Sequence, residues 1–246
     1  MTATVHITAA PRVPMDSQRK TALVAGVFYL ITFISIPTLA LYGPVKDQRD
    51  WILTRGTSTG VLVGGLLEVI VALAGIGTAV TLYPVIKRQH EGAALGFAAA
   101  RVLEASLIFT GVVSLLSLVT LRTDPGGAAG ANAAALVTTG ESHVAVYNWS
   151  FLLGQSLMPA INALLLGSVL YRSRLVPRVI PRLGLLGAPL LIAAVVATLF
   201  GGIGQYSALA AVAALPIAAW ELSLGLWLVV KGFRPSIRHP AGEVSE

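Results

Sequence analysis

One arginine and three glutamates lie within stretches of the sequence that are otherwise apolar, namely Arg101, Glu104, Glu68 and Glu221. Residues three apart share a face of a helix, so the guanidinium of Arg101 and the carboxylate of Glu104 can pair one turn apart. In a bilayer a charged side chain costs about 2.5–3.5 kcal/mol on insertion scales, so such residues face the protein interior and seek partners. Acids beside a fixed cation can bind protons, ions or a polar solute, or they can serve only to hold helices together.

A second set of polar residues, Asn148, Gln155 and Asn162, also lies in an apolar stretch. Their seven-residue spacing places them on one face of a helix as a polar stripe. Such a stripe is either a hydrogen-bonded seam between helices or the lining of a solute path, and the seam is the more common of the two. Pro159 lies near the same face and is expected to kink the helix.

The four ionisable residues are expected to form one intramembrane charge cluster. At about 1.5 Å of rise per residue, each lies near the middle of an apolar core about 30 Å thick. If all four were ionised, the cluster would hold an excess of negative charge. Arginine stays charged, so we expect at least one of Glu68, Glu104 and Glu221 to carry a proton at neutral pH.

The composition indicates that these residues lie in transmembrane helices. The chain has 246 residues, of which 55% are hydrophobic and only 11% charged, whereas soluble domains have about 25% charged residues. A helix of about 20 apolar residues crosses a bilayer, and six stretches approach or exceed that length, at residues 21–42, 58–83, 93–121, 144–171, 183–200 and 207–230. The sequence predicts an all-α integral membrane protein, a bundle of six transmembrane helices over residues 21–231 with polar tails at 1–20 and 232–246.

The distribution of basic residues predicts the orientation of the bundle. Of the 17 lysines and arginines, twelve lie in the two tails and the second and fourth connections. Four lie in the first and third connections, and Arg101 is the remaining one. Basic residues flanking membrane helices concentrate on the cytoplasmic side. Both termini are therefore expected to be cytoplasmic.

Several function classes have no support in the sequence. The net charge of +6 is accounted for by the cytoplasmic connections, and no nucleic-acid-binding motif accompanies it, so no nucleic acid partner is expected. There are no cysteines, which excludes disulfides and thiolate chemistry. No P-loop, HExxH, GxSxG or GxGxxG pattern is present. We expect no catalytic residues, no metal and no cofactor, and the lipid bilayer is the expected surrounding.

Four segments, in this order and spacing, resemble the DUF4386 family of bacterial multi-pass membrane proteins. They are Ala100–Ala105, Leu166–Pro177, Glu221 and Leu226–Gly232, and the resemblance covers roughly residues 19–234. The family is a domain of unknown function. The resemblance implies a six-helix membrane protein and a bacterial plasma membrane, and it implies no activity.

Three functional hypotheses remain open. The first is a protein that binds or moves a small solute or a proton through a polar intramembrane cavity. The second is a structural or regulatory membrane component whose charge cluster only fixes helix packing. The third, favoured least because no nucleophile motif or metal-ligand set is present, is a membrane enzyme acting on lipid. A cavity touching Arg101, Glu104 and Gln155 would favour the first, and a sealed, fully paired cluster the second.

The oligomeric state is not determined by the sequence. Gly56, Gly60 and Gly64 recur every four residues and make a stripe suited to close helix packing. Such a stripe permits a dimer and permits tight packing within one chain equally.

Overall fold

The protein is a bundle of six long helices in the computed structural model, which describes residues 16–54, 56–123 and 132–234. Each helix is long and apolar enough to cross a membrane, and they are α1 Ser17–Leu41, α2 Thr59–Lys87, α3 Glu91–Thr123, α4 Ala133–Ser173, α5 Val179–Leu199 and α6 Ala208–Val230. No strand is present in the described residues. The predicted all-α fold with six spans is confirmed. Of the predicted tails, residues 1–15 and 235–246 lie outside the described residues.

Helix α4 begins at Ala133, earlier than the predicted start at 144. Alanine has the highest helix propensity, and the segment that opens α4 is rich in it. Asn132 starts the helix because its side-chain oxygen accepts a hydrogen bond from the Ala134 amide at 3.0 Å. The connection between α1 and α2 is also partly helical, with a short helix at Gly43–Asp47 and a 3₁₀ turn at Trp51–Leu53.

The six helices form a closed ring in which each packs on the next and α6 packs on α1. The α1–α6 contact is close because it is made at glycines. A Cβ atom placed on Gly26 would lie 2.7 Å from the carbonyl oxygen of Gly225. Arg19 also ties the two helices together by donating to the carbonyl oxygens of Leu228, at 3.0 Å, and Val229. The start of α1 and the end of α6 therefore lie together at one end of the bundle, here called the terminal end.

The outer surface of the bundle is apolar, as contact with lipid requires. Leu66, Val80, Leu186 and Phe200 are all more than half exposed. The interior is closed by large side chains that are almost completely buried, among them Trp220, Tyr29, Phe97 and Leu166. Aliphatic side chains thus cover both faces of each helix, which is the pattern of a chain dissolved in a bilayer rather than in water.

Helix α1 is interrupted by a 3₁₀ turn at Thr32–Ser35. Pro37 has no amide hydrogen to donate, so the carbonyl of Phe33 loses its normal helical partner. Neighbouring carbonyls are satisfied by side chains instead, because backbone polar groups cannot stay unpaired in lipid. Three hydroxyls each donate to the carbonyl three residues earlier: Thr32 to Tyr29, Ser35 to Thr32 and Thr38 to Ser35. Beyond the turn, the rest of α1 packs on α2.

Helix α4 is also irregular, with a π turn at Leu152–Leu157 that ends two residues before Pro159. A π turn carries an extra residue within the helix and is often found at functional sites. The irregularity lies beside Pro159, where the sequence predicts a disturbance of the helix. It contains Gln155, the middle residue of the polar stripe.

Candidate functional site

Arg101 lies between two carboxylates at the centre of the bundle. Its Nη1 atom is 3.0 Å from Oε2 of Glu104, and its Nη2 atom is 3.1 Å from Oε1 of Glu221. Arg101 is only 2% exposed. Glu104 also accepts a hydrogen bond from Nδ2 of Asn162 at 2.6 Å. This group of four, here called the arginine cluster, joins α3, α4 and α6.

The guanidinium of Arg101 is surrounded by two aromatic rings and a glycine. Its central carbon lies 5.3 Å from the ring centre of Tyr29 on α1 and 5.6 Å from that of Phe97 on α3, within the range of cation–π attraction. On α2, Gly75 lies beside the arginine, and a Cβ atom there would be 3.9 Å from the Cδ and Nη1 atoms of Arg101, an ordinary van der Waals distance. Nε of Arg101 has no hydrogen-bond partner. The Nε–H donor of the arginine is therefore free.

Glu68 lies in a different group, here called the glutamate–tyrosine cluster. It is completely buried and accepts hydrogen bonds from the Tyr147 hydroxyl at 3.0 Å, Nε2 of Gln155 at 3.0 Å and the Tyr42 hydroxyl at 3.4 Å. Among the described residues, no lysine or arginine nitrogen lies within 4 Å of its carboxylate. A side chain at Gly64, one turn before Glu68, would strike the Tyr42 ring. The glycine thus lets Tyr42 approach the acid.

The four charged residues predicted to form one cluster are therefore divided by the structure. Arg101, Glu104 and Glu221 come together, whereas Glu68 is held by three uncharged donors. Residue number fixes the depth of a side chain along its helix, but the rotation of the helix decides which neighbour that side chain meets. The arginine cluster holds two carboxylates for one cation, and the proton predicted from that excess stays a prediction.

The three members of the polar stripe each contact a different partner. Asn162 donates to Glu104 of α3, and Gln155 donates to Glu68 of α2. Asn148 interacts with the connection between α5 and α6, where its Oδ1 accepts from the Tyr206 hydroxyl at 3.0 Å and its carbonyl accepts from Gln205 at 3.0 Å. The stripe is thus a hydrogen-bonded seam along α4, and two of its members reach the buried acids.

Two cavities lie beside these groups. The smaller, about 200 Å³, is lined by Arg101, Glu104, Glu221 and Gln155, together with the interrupted part of α1. The larger, about 660 Å³, lies toward the end of the bundle opposite the termini, between the end of α1 and helices α4, α5 and α6. Gln155 lines both cavities. The π turn of α4 is therefore shared between them.

No group of three or more His, Asp or Glu side chains is arranged to hold a metal ion within residues 16–54, 56–123 and 132–234. The acids of the arginine cluster are instead occupied by the guanidinium and an amide. The arrangement presents carboxylate acceptors and a guanidinium donor to the smaller cavity.

Several residues that surround the buried charges or line the larger cavity are not apparent from the sequence. Tyr29, Tyr42 and Tyr147 surround the buried charges, but tyrosines in apolar stretches are typical of helix cores and membrane interfaces. Tyr147 directly precedes Asn148 of the polar stripe, which is the one local signal that marks it. Lys46, which lines the larger cavity, falls in a polar connection, and nothing in its sequence context distinguishes it from a topology signal.

Fold and site together define an all-α multi-pass membrane protein with ionisable residues enclosed between its helices. A family model described as "Domain of unknown function (DUF4386)" matches residues 24–232. The chain belongs to the DUF4386 family, as its sequence motifs indicate. No match was found among curated proteins or among solved structures.

Proposed function

We propose that the protein binds a small polar solute or a proton in the smaller cavity and moves it through the membrane. The observation that carries this proposal is the position of the ion pairs. Arg101, Glu104 and Glu221 line an open space of about 200 Å³ instead of being sealed among apolar side chains. Charged residues inside a membrane protein that line a cavity are typical of substrate, ion and proton pathways. We further propose a bacterial plasma membrane location with both termini in the cytoplasm.

The arginine cluster is suited to couple a proton to a polar solute. Two acids compete for one guanidinium, so a proton taken up by one acid leaves the other pair electrically balanced. The guanidinium nitrogen that had paired with the protonated acid can then bind a polar or anionic solute. Glu221 is the acid best placed to exchange protons, because its side chain is 15% exposed and that of Glu104 is 10% exposed. Glu104 is further fixed by Asn162.

The irregular parts of α1 and α4 support the same proposal. Non-helical backbone at membrane depth is tolerated where it is buried in protein or lines a cavity. The 3₁₀ turn of α1 contributes Thr32 and Ser35 to the smaller cavity, and the π turn of α4 contributes Gln155. Because Gln155 also lines the larger cavity, it is the residue that a solute passing between the two would meet.

The competing hypothesis is a structural cross-link. Arg101 pairs with Glu104 on its own helix and with Glu221 on α6, and this pairing by itself would fix the arrangement of the two helices. In that case the cavity has no part in function. The third hypothesis, an enzyme acting on lipid, has no supporting observation among the described residues.

Proteoliposomes distinguish a transport role from a structural one. Proton flux is followed with an entrapped pH-sensitive dye, and folding is followed separately by expression and thermal melting. We expect the protein to raise proton flux above that of empty liposomes, and we expect Glu221→Gln to abolish the increase while melting near the parent temperature. Glu141→Gln is the matched control, because Glu141 is an exposed acid paired with Arg49 away from both clusters.

The structural hypothesis predicts a different pattern. Flux would equal that of empty liposomes for every variant, and Glu104→Gln and Arg101→Ala would lose only expression and thermal stability. That result would refute the proposed proton movement.

A further inference from the structure

The larger cavity differs in chemistry from the smaller one, because it combines one cation and one acid, Asp47, with mostly apolar walls. Its volume of about 660 Å³ falls within the range of about 300–1,000 Å³ that is usual for small-molecule sites. It includes none of the three residues that form the ion pairs of the arginine cluster. Whatever it binds is therefore recognised by other groups.

Lys46 supplies the cation. Its Nζ atom lies 3.5 Å from the ring centre of Tyr206 and 5.5 Å from that of Tyr147. No carboxylate in the described part of the chain lies within 4 Å of this nitrogen. The ammonium group is thus held over aromatic rings at the cavity wall without a direct ion pair, although Asp47 lines the same cavity.

Other groups at the same end also favour an anion. Asn148 lines the cavity beside Lys46 and only accepts in its hydrogen bonds with Tyr206 and Gln205, so its amide NH2 can donate to a ligand. Helix α6 starts there, with Ser207 as its N-cap. The N-terminus of a helix carries a partial positive charge, which adds to the field of the lysine.

Most of the remaining wall of the cavity is apolar, and the cavity reaches the lipid-facing surface. Leu39, at its edge, is 49% exposed. Further apolar walls come from α4, α5 and α6, and they include Phe151, Leu152, Leu191, Val195, Ala211 and Ala214. These walls suit a hydrocarbon chain, and the exposed edge gives such a chain access from the bilayer.

We propose that the larger cavity binds an amphipathic anion, with a carboxylate or phosphate head at Lys46 and a hydrocarbon tail between α4, α5 and α6. The inference goes beyond the proposed function, because binding at Lys46 does not depend on proton movement at the arginine cluster. The same chemistry is offered by a free fatty-acid-like molecule and by the head of an anionic phospholipid.

The charge state of Lys46 gives the site a pH dependence. Burial lowers the pKa of Lys46 to about 8, while Asp47 beside it and Glu68 from α2 act in the opposite direction. Tyr147 and Tyr206 are the titratable groups that face it from α4 and from the connection before α6. The lysine is charged below pH 8 and loses its proton above it. Affinity for an anion is therefore expected to fall as the pH rises through about 8.

The test is equilibrium binding of radiolabelled dodecanoate to the protein in phosphatidylcholine nanodiscs, corrected with empty nanodiscs. We expect saturable binding at pH 7, weakened about tenfold or more in Lys46→Gln, because a hydrogen bond to a charged group is lost. Lys46→Arg keeps the charge and should retain binding. Lys87→Gln is the matched control, because Lys87 is an exposed lysine at the terminal end that pairs with Glu91. Binding of 1-dodecanol, which has an uncharged head, should be the same in all variants.

Two further measurements distinguish a phospholipid head from a free amphiphile, and anion binding at Lys46 from proton movement at the arginine cluster. If phosphatidylglycerol in the nanodisc competes with dodecanoate for the parent protein, the head of an anionic phospholipid occupies the site, and without competition a free amphiphile is the ligand. Glu221→Gln should bind dodecanoate with unchanged affinity, so failure of the proton proposal would not affect this result. Equal affinity of the parent and Lys46→Gln, or no binding above that of empty nanodiscs, would overturn the inference.

Discussion

Replacing Arg101 by leucine tests how the buried charges are balanced. The substitution removes the guanidinium that lies 3.0 Å from Glu104 and 3.1 Å from Glu221, and it leaves both acids without a cation. Removing one partner of a buried ion pair costs about 3–5 kcal/mol. Arg101 is 2% exposed and pairs with two acids. We therefore expect the free energy of unfolding at pH 7 to fall by an amount at or above the middle of that range.

Neutralising the acids should reverse the loss. In the triple variant Arg101→Leu, Glu104→Gln, Glu221→Gln, no uncompensated charge remains, and replacing a whole buried ion-pair group by uncharged residues is often neutral. Most of the stability should therefore return, although the leucine fits the space of the arginine imperfectly. The single variant should also become more stable as the pH falls, because protons then neutralise the two acids.

The assay is reversible unfolding of the purified protein in mixed micelles, followed by circular dichroism as the fraction of denaturing detergent is raised. The parent protein, the single variant and the triple variant are compared at pH 7 and pH 5. A triple variant as unstable as the single one would mean that packing, not charge, dominates at this position. A single variant as stable as the parent would refute the assignment of Arg101 as the cation that balances the cluster.

Three further predictions concern packing, hydrogen bonding and topology. Gly26→Ala places a Cβ atom 2.7 Å from a backbone carbonyl of α6, so it should lower the free energy of unfolding by about 1–3 kcal/mol in the same assay. Tyr147→Phe removes a hydroxyl 3.0 Å from the buried Glu68 and should lower the free energy of unfolding by about 1.5–3 kcal/mol. Tyr42→Phe removes a longer hydrogen bond of 3.4 Å to the same acid, so the decrease should be smaller. The natural chain has no cysteine, so Gln89→Cys and Gln48→Cys can be labelled singly in intact cells. An impermeant maleimide should label only position 48, and labelling of position 89 alone would show that both termini are external.

Features that follow from composition and position along the chain could be predicted from the sequence. The six spans follow from apolar length, and the pairing of Arg101 with Glu104 follows from their separation by three residues. Similar depth on another helix also predicts Glu221 near Arg101, and in the structure Oε1 of Glu221 lies 3.1 Å from Nη2 of Arg101. Glu68 has a similar depth, yet its carboxylate is held by Tyr42, Tyr147 and Gln155. The contacts of Glu221 and Glu68 differ because of how each helix is rotated about its axis and which helices lie next to it. A single sequence specifies neither.

Backbone irregularities were harder to predict for a related reason. Pro37 and Pro159 mark places where a helical hydrogen bond is lost, but the response depends on what surrounds them. In α1 the response is a 3₁₀ turn supported by hydroxyl groups, and in α4 it is a π turn at Leu152–Leu157. The N-terminal part of α4 lies outside the predicted span at 144–171 because it has few strongly hydrophobic residues, although its alanines and the Asn132 cap favour a helix.

The π turn of α4 has a consequence for how this sequence can change in length. A π turn uses i→i+5 hydrogen bonds, so it fits one residue more than a regular helix into about the same rotation of the chain. A deletion of one residue within Leu152–Leu157 can therefore be absorbed by reverting to a regular helix, with Asn162 still facing Glu104 and Tyr147 still facing Glu68. A deletion between Leu157 and Asn162 has no such outlet, and it would rotate Asn162 by about 100° relative to Tyr147. In homologous chains we expect the loss of a single residue to be tolerated within the π turn and excluded from the regular helix that follows it.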